Sequence, residues 1–270
     1  MSEEALEDSS APLVEHLIEL RQRLVRALIA VAIFFVICFI FADQIFDILV
    51  IPYERAASEG AELKLIYTAP QEYFFVQLKI ALFGAFFIAF PVIATQIYKF
   101  VAPGLYKNEK SAFLPFLIAT PILFLLGACL VFFVVMPLAM GFFLSMQTTS
   151  ETSRATIELL PRVSEYLGLI MTLIFAFGFV FQLPVALSLL AKAGLVTADG
   201  LKDKRKYAVV MAFVAAAILT PPDPISQLGL AIPTLLLYEL SIISARLIEK
   251  KRAEQEAERD RENDEDVDLS

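Results

Sequence analysis

Six apolar runs, at roughly 24–42, 77–98, 113–136, 166–191, 207–220 and 228–245, dominate a chain of 270 residues. A helix needs about 20 mostly apolar residues to cross a ~30 Å hydrocarbon core. In hydrocarbon the backbone must satisfy its own polar groups, which leaves helices or closed barrels. The runs therefore predict an all-α membrane protein with six transmembrane helices. The basic residues give its direction. Arg21, Arg23 and Arg26 precede or enter the first run, and Lys99, Lys107 and Lys110 lie in the second loop. Lys192, Lys202, Lys204, Arg205 and Lys206 fall in the fourth loop. The tail adds Arg246, Lys250, Lys251, Arg252, Arg259 and Arg261. The other side holds only Arg55, Lys64, Arg154 and Arg162, with Lys79 just inside the second run. Cations collect on the cytoplasmic side, so both termini are expected there, in a multi-pass protein of a bacterial or archaeal plasma (inner) membrane.

Composition closes off other classes. The chain is 58% hydrophobic with a mean hydropathy of +0.70, outside the range of soluble domains. Its net charge of -8 comes largely from the tail between Glu254 and Asp268. Residues 1–11 read as a disordered cytoplasmic start, 12–246 as the membrane domain, and 247–270 as a charged cytoplasmic tail. That tail is expected to extend the last helix and then become disordered. The first run ends in Ala42-Asp43 and lacks a small-x-small cleavage site, so it is expected to remain in the protein. Cys38 and Cys129 fall in predicted spans and read as packing residues. A lone His16 excludes a multi-His metal site. No phosphate-binding glycine loop or GxSxG elbow is present. Neither an enzyme nor a cofactor is expected, and nucleic acid is not an expected partner.

From Pro12 the chain is amphipathic. Leu13, Leu17, Leu20 and Leu24 form one stripe, and Glu15, Glu19 and Arg23 form another at i, i+4 spacing. This arm is expected to lie at the interface and feed the first span. The loop 99–112 carries Pro103-Gly104 between Phe100 and Tyr106, with Glu109 beyond. Carboxylates beside an aromatic ring on a rigid turn suit guanidinium, which forks onto carboxylate and stacks on rings. The plainer reading pairs Glu109 with Lys107 or Lys110, and Glu19 with Arg23. Within the apolar runs, Gln182 and Glu239 are the polar side chains that stand out. An intramembrane carboxylate reads as functional by default; Glu239 is either a proton carrier or an interfacial group paired with a basic loop. Pro91, Pro121, Pro184 and Pro233 predict bent helices. The fifth run, Tyr207–Thr220, has 14 residues, about 21 Å of helix. It either crosses a locally thinned bilayer, the favoured reading, or forms a re-entrant hairpin with the sixth.

Four strings in order carry a family likeness. They are H-L-I-E-L-R-Q-R-L at 16–24, F-V-A-P-G-L-Y-K-N-E-K at 100–110, F-G-F-V-F-Q-L-P-V at 177–185 and L-T-P-P-D-P-I-S-Q at 219–227. Together they resemble the TatC family, the multispanning core subunit of the twin-arginine protein translocase, over roughly 12–246. The resemblance implies six helices in a concave, glove-like arrangement with two short C-terminal spans. It implies a receptor that binds paired-Arg signal peptides and exports folded proteins with the proton-motive force. Its implied partners are TatA-like and TatB-like single-span subunits, other copies of itself, folded cargo and membrane lipid. By motif position it assigns signal-peptide binding to Glu19, Arg21, Phe100 and Glu109, and the reading of the arm and loop adds Glu15 and Tyr106 as candidates. It gives structural roles to Pro52 and Asp223. Where many relatives carry Glu on the fourth span, this chain has Gln182, so no titrating carboxylate is expected at that point. The competing expectation is a proton-coupled transporter of small solutes using Glu239. That reading calls for a second buried ionisable group or an internal repeat, and the sequence has neither.

Overall fold

The computed structural model describes residues 3–57, 64–105, 114–148, 157–220 and 223–268. Ten helices are described: α1 (Glu3–Ile40), α2 (Ala42–Ala56), α3 (Glu72–Leu105), α4 (Leu114–Leu130), α5 (Met136–Ser145), α6 (Val163–Val180), α7 (Leu183–Lys192), α8 (Ala198–Asp203), α9 (Arg205–Leu219) and α10 (Pro224–Asp268). The described residues form no extended strand, only two isolated bridges. Five helical stretches are long and apolar enough to cross a membrane: His16–Ile40, Glu72–Phe100, Pro115–Ser145, Val163–Lys192 and Pro224–Glu254. The fifth predicted span is α9, whose 15 residues reach about 22 Å. The chain divides into two compact units, 1–122 with 143–171, and 123–142 with 172–270.

In the first unit, α1 lies along α3. Arm and first span are one helix, and it includes residues 3–11, where the composition predicts disorder. That stretch holds Glu3, Glu4, Ala5, Leu6 and Glu7, all good helix formers. The α1–α3 contact buries Val31, Ala85 and Ala89 against Phe34, Phe35 and Ile93. Small residues let the two backbones approach: a Cβ on Gly84 would meet the Cys38 sulfur at 2.9 Å. Cys38 is thus a buried free thiol used in packing. Pro52 sits inside α2 and is fully buried. Nearby, the Tyr166 hydroxyl donates to the Leu49 carbonyl at 2.8 Å.

Two distant loops of this unit are zipped together. The Ile66 amide donates to the Pro161 carbonyl at 3.1 Å, and the Val163 amide donates to the Ile66 carbonyl at 2.9 Å. Glu72 is buried at the start of α3 and accepts from Ser164 Oγ at 2.5 Å, the Thr68 amide at 2.9 Å and Arg162 at 3.2 Å. A carboxylate with that many donors is satisfied without water.

In the second unit, proline chemistry shapes the helices. Pro137 has no N–H for the Phe133 carbonyl, and the helix widens through a π-turn at Val131–Val135 between α4 and α5. Pro184 stands in the first turn of α7, and the fourth predicted span breaks at Phe181-Gln182 between α6 and α7. Gly127 and Gly178 make the close contact between α4 and α6. A Cβ on Gly127 would lie 2.7 Å from the Phe177 carbonyl oxygen, and one on Gly178 would lie 2.4 Å from the Phe124 ring. Asp223 caps α10: its Oδ1 accepts from the Ser226 amide at 2.7 Å. Helix α10 then runs 45 residues to Asp268 without a break at Pro233, so the tail is helical well past the apolar run.

Gly127→Ala should destabilise the protein by about 1–3 kcal/mol, because the neighbour it meets is backbone and cannot turn aside. Gly168→Ala meets nothing within 4 Å and should leave stability unchanged or slightly raised. Thermal unfolding of both variants in detergent checks the contrast.

Candidate functional site

The arm and the far end of α3 meet at one point in the first unit. The His16 ring stacks on Phe100, with centroids 4.3 Å apart and planes inclined by 21°. One turn further along α1, Arg23 holds Glu19: its Nε donates to Glu19 Oε1 at 3.1 Å and its Nη2 to the same oxygen at 2.6 Å. The plainer sequence reading of Glu19, a pair with Arg23, is thus the contact seen in the structure. Arg21 is exposed on the same helix. Sequence reasoning used His16 to exclude a metal site and as the start of the 16–24 string, and the structure stacks it on α3. Its place one turn before Glu19 in an amphipathic arm was the available signal.

Pro103 and Gly104 were expected in a rigid loop, and they belong instead to the last turn of α3. Helix continues there because Pro103 removes only a donor to the Lys99 carbonyl, close to a helix end. Tyr106 and Glu109 lie outside the described residues, as does the side chain of Glu15.

In the second unit the intramembrane polar residues separate into two situations. Gln182 stands at the N-cap of α7, and its Nε2 donates to the Gly178 carbonyl at 3.2 Å. It helps satisfy the backbone where α6 stops, a role open to any polar amide. Glu239 accepts from Arg205 Nη2 at 2.5 Å. Both side chains are open, 46% and 52% exposed respectively, and Arg205 begins the short helix α9. The carboxylate is thus paired with a residue of the basic fourth loop, reached across 34 residues of sequence.

The same unit builds a braced platform around α8. Glu249 accepts from the Ala198 amide at 2.8 Å, and the Tyr238 hydroxyl donates to the Leu201 carbonyl at 2.7 Å. Ala191, Ala198, Leu201, Ile242 and Ala245 are buried between them. Beyond the core, Lys202 donates to Asp199 at 2.9 Å and holds that carboxyl below the usual aspartate range. Sequence reasoning missed this bracing, and it missed the Glu72–Arg162–Ser164 network.

Long apolar helices with polar groups gathered at helix ends and breaks define a multispanning α-helical membrane protein. The model of the family described as Sec-independent protein translocase protein (TatC) matches residues 15–233. A TatC protein of Magnetococcus marinus is 53% identical over 250 residues, covering 93% of this chain and 89% of that protein. The Escherichia coli K12 TatC protein is 36% identical, covering 88% of this chain and 90% of its own length. A crystal structure described as the twin arginine translocase receptor TatC superposes with a TM-score of 0.74 at 42% identity, over 86% of this chain and 99% of that one. The chain belongs to the TatC family.

An open ion pair contributes about 0.2–1 kcal/mol. Arg205→Gln and Glu239→Gln should therefore each cost no more than about 1 kcal/mol, with a coupling no larger. A double-mutant cycle by chemical unfolding in detergent measures it. Single losses above ~3 kcal/mol would put the pair in a dry interior and contradict its open setting.

Proposed function

We propose that this protein is the receptor and core subunit of a twin-arginine translocase, binding paired-Arg signal peptides and exporting folded proteins. The observation that carries the reading is the meeting of the arm with the end of α3, where a carboxylate and an aromatic face, Glu19 and Phe100, share one end of one unit. Family membership supports it, as does a relative of known structure described as the twin arginine translocase receptor. Glu109, four residues beyond Leu105, is the second carboxylate of the docking site, with Arg21, Glu15 and Tyr106 at its margin. Each peptide guanidinium takes one carboxylate, and Phe100 offers a face for stacking.

The protein works without catalysing a covalent reaction, and the proton-motive force drives export. It sits in the plasma membrane with both termini in the cytoplasm, as the cation asymmetry requires. TatA-like and TatB-like single-span subunits and further copies of the chain complete the translocase. A small-solute transporter using Glu239 is not favoured, since that carboxylate is held by Arg205.

Two measurements test this reading. Glu19→Gln and Glu109→Gln should each weaken binding of a labelled paired-Arg peptide by roughly 10- to 150-fold, the loss expected for one charge-assisted partner. Replacing the peptide's Arg pair by Lys should weaken it too, because an ammonium cannot reproduce the planar fork. Unchanged affinity in both variants would sink the docking site. For orientation, cysteines at Ser58 and Ser150 should react with a membrane-impermeant maleimide added outside, and cysteines at Asp199 and Lys251 should not, in a background without Cys38 and Cys129. The opposite pattern would invert the topology.

A further inference from the structure

We infer that His16 and Arg23 are internal placeholders for the two guanidinium groups of a paired-Arg peptide. The inference rests on the receptor role proposed above and goes beyond it by assigning two residues of this chain that compete with the peptide for the docking groups.

Both docking groups in the described part of the site are occupied from within the chain. Phe100 offers a ring face, and His16 covers it in a stack 4.3 Å between centroids with planes 21° apart. Glu19 offers a carboxylate, and Arg23 covers it with Nε at 3.1 Å and Nη2 at 2.6 Å on the same oxygen. Each occupant is a flat, conjugated, N–H-bearing group, the chemistry that a peptide arginine would bring to the same place. His16 and Arg23 are seven residues apart on α1, close to two helical turns, so both project from the same side of the helix. The two contacts therefore form one face.

An empty site of this kind leaves neither a bare carboxylate nor a bare ring against solvent. An incoming peptide exchanges partners: one arginine replaces Arg23 on Glu19, and another replaces the imidazole on Phe100. His16 is exposed, so its ring can turn into water without opening the core. The displacement costs the same for any ligand, while the return differs. A guanidinium restores both the stack and the paired N–H contact; an ammonium restores neither in full. The placeholders thus lower affinity for every peptide by the same factor, and the preference for arginine over lysine comes from what the guanidinium restores on Phe100 and Glu19. A residue that merely supported the site would have the opposite effect on removal.

The test uses the full chain in detergent or nanodiscs, with labelled peptides carrying Arg-Arg, Lys-Lys or a shuffled sequence. Arg23→Gln and His16→Ala should each bind the Arg-Arg peptide about two- to fivefold more tightly, the scale of one open ion pair or stack released. His16→Ala should raise the Arg-Arg and Lys-Lys affinities by the same factor and leave their ratio unchanged. His16→Phe keeps a stacked ring and should bind no more tightly than the wild-type chain. Tightening cannot arise from a damaged fold, so a positive result carries its own control. If His16→Ala does not fold, Arg23→Gln and His16→Phe decide the matter. Weaker binding by folded Arg23→Gln, or tighter binding by His16→Phe, would overturn the placeholder role while leaving the receptor role standing. A wild-type chain that does not prefer Arg-Arg over the shuffled peptide would overturn both.

Discussion

A backbone in hydrocarbon has no water to bond to, and every amide left unpaired there costs several kcal/mol. The rest of this structure follows from that constraint. It makes the chain helical wherever it is apolar. It sends polar side chains to the places where a helix stops or bends. Gln182 sits where α6 gives way to α7, and its amide bonds the Gly178 carbonyl. Asp223 caps the first turn of α10. Glu72 gathers donors from Thr68, Arg162 and Ser164 at the head of α3. Hydrophobic burial cannot drive these helices together in lipid, so close approach at small residues does more of that work. Gly84, Gly127 and Gly178 are contacts between helices where a single added methyl would collide.

The same constraint explains where chemistry is available. The carboxylate and ring of the proposed docking site lie near the ends of the apolar stretches His16–Ile40 and Glu72–Phe100, away from their centres. Arg205 and Glu239 meet at the start of α9, a helix of only 15 residues. A recognition site for guanidinium needs both a low enough dielectric to strengthen the contact and enough water to admit the ligand.

Much of this was legible in the sequence because apolar run length is a direct physical requirement. Runs at 77–98 and 166–191 fall within the apolar helical stretches Glu72–Phe100 and Val163–Lys192. The runs underestimate the helices, since helix continues past the hydrocarbon, as at Pro103 in α3 and in the long tail of α10. The arm's stripes correctly located Glu19 beside Arg23, an i, i+4 contact that spacing alone reveals. Contacts between distant segments were not legible. Nothing in the neighbourhood of Glu72 announces Arg162 ninety residues away, and nothing around His16 announces Phe100. The π-turn at Val131–Val135 was equally hidden, because Pro137 signals a disturbed ladder without saying how it is resolved.

The central claim is that the arm and the end of α3 together receive a paired-Arg peptide. Site-specific photocrosslinking tests it most directly, with a photoreactive residue placed at Phe100 or Glu109 of the membrane-embedded protein. A paired-Arg signal peptide should crosslink from both positions, and an excess of unlabelled peptide should abolish the product. A control position on the opposite loop, such as Ser58, should give none. Crosslinking from Ser58 but from neither Phe100 nor Glu109 would contradict the account.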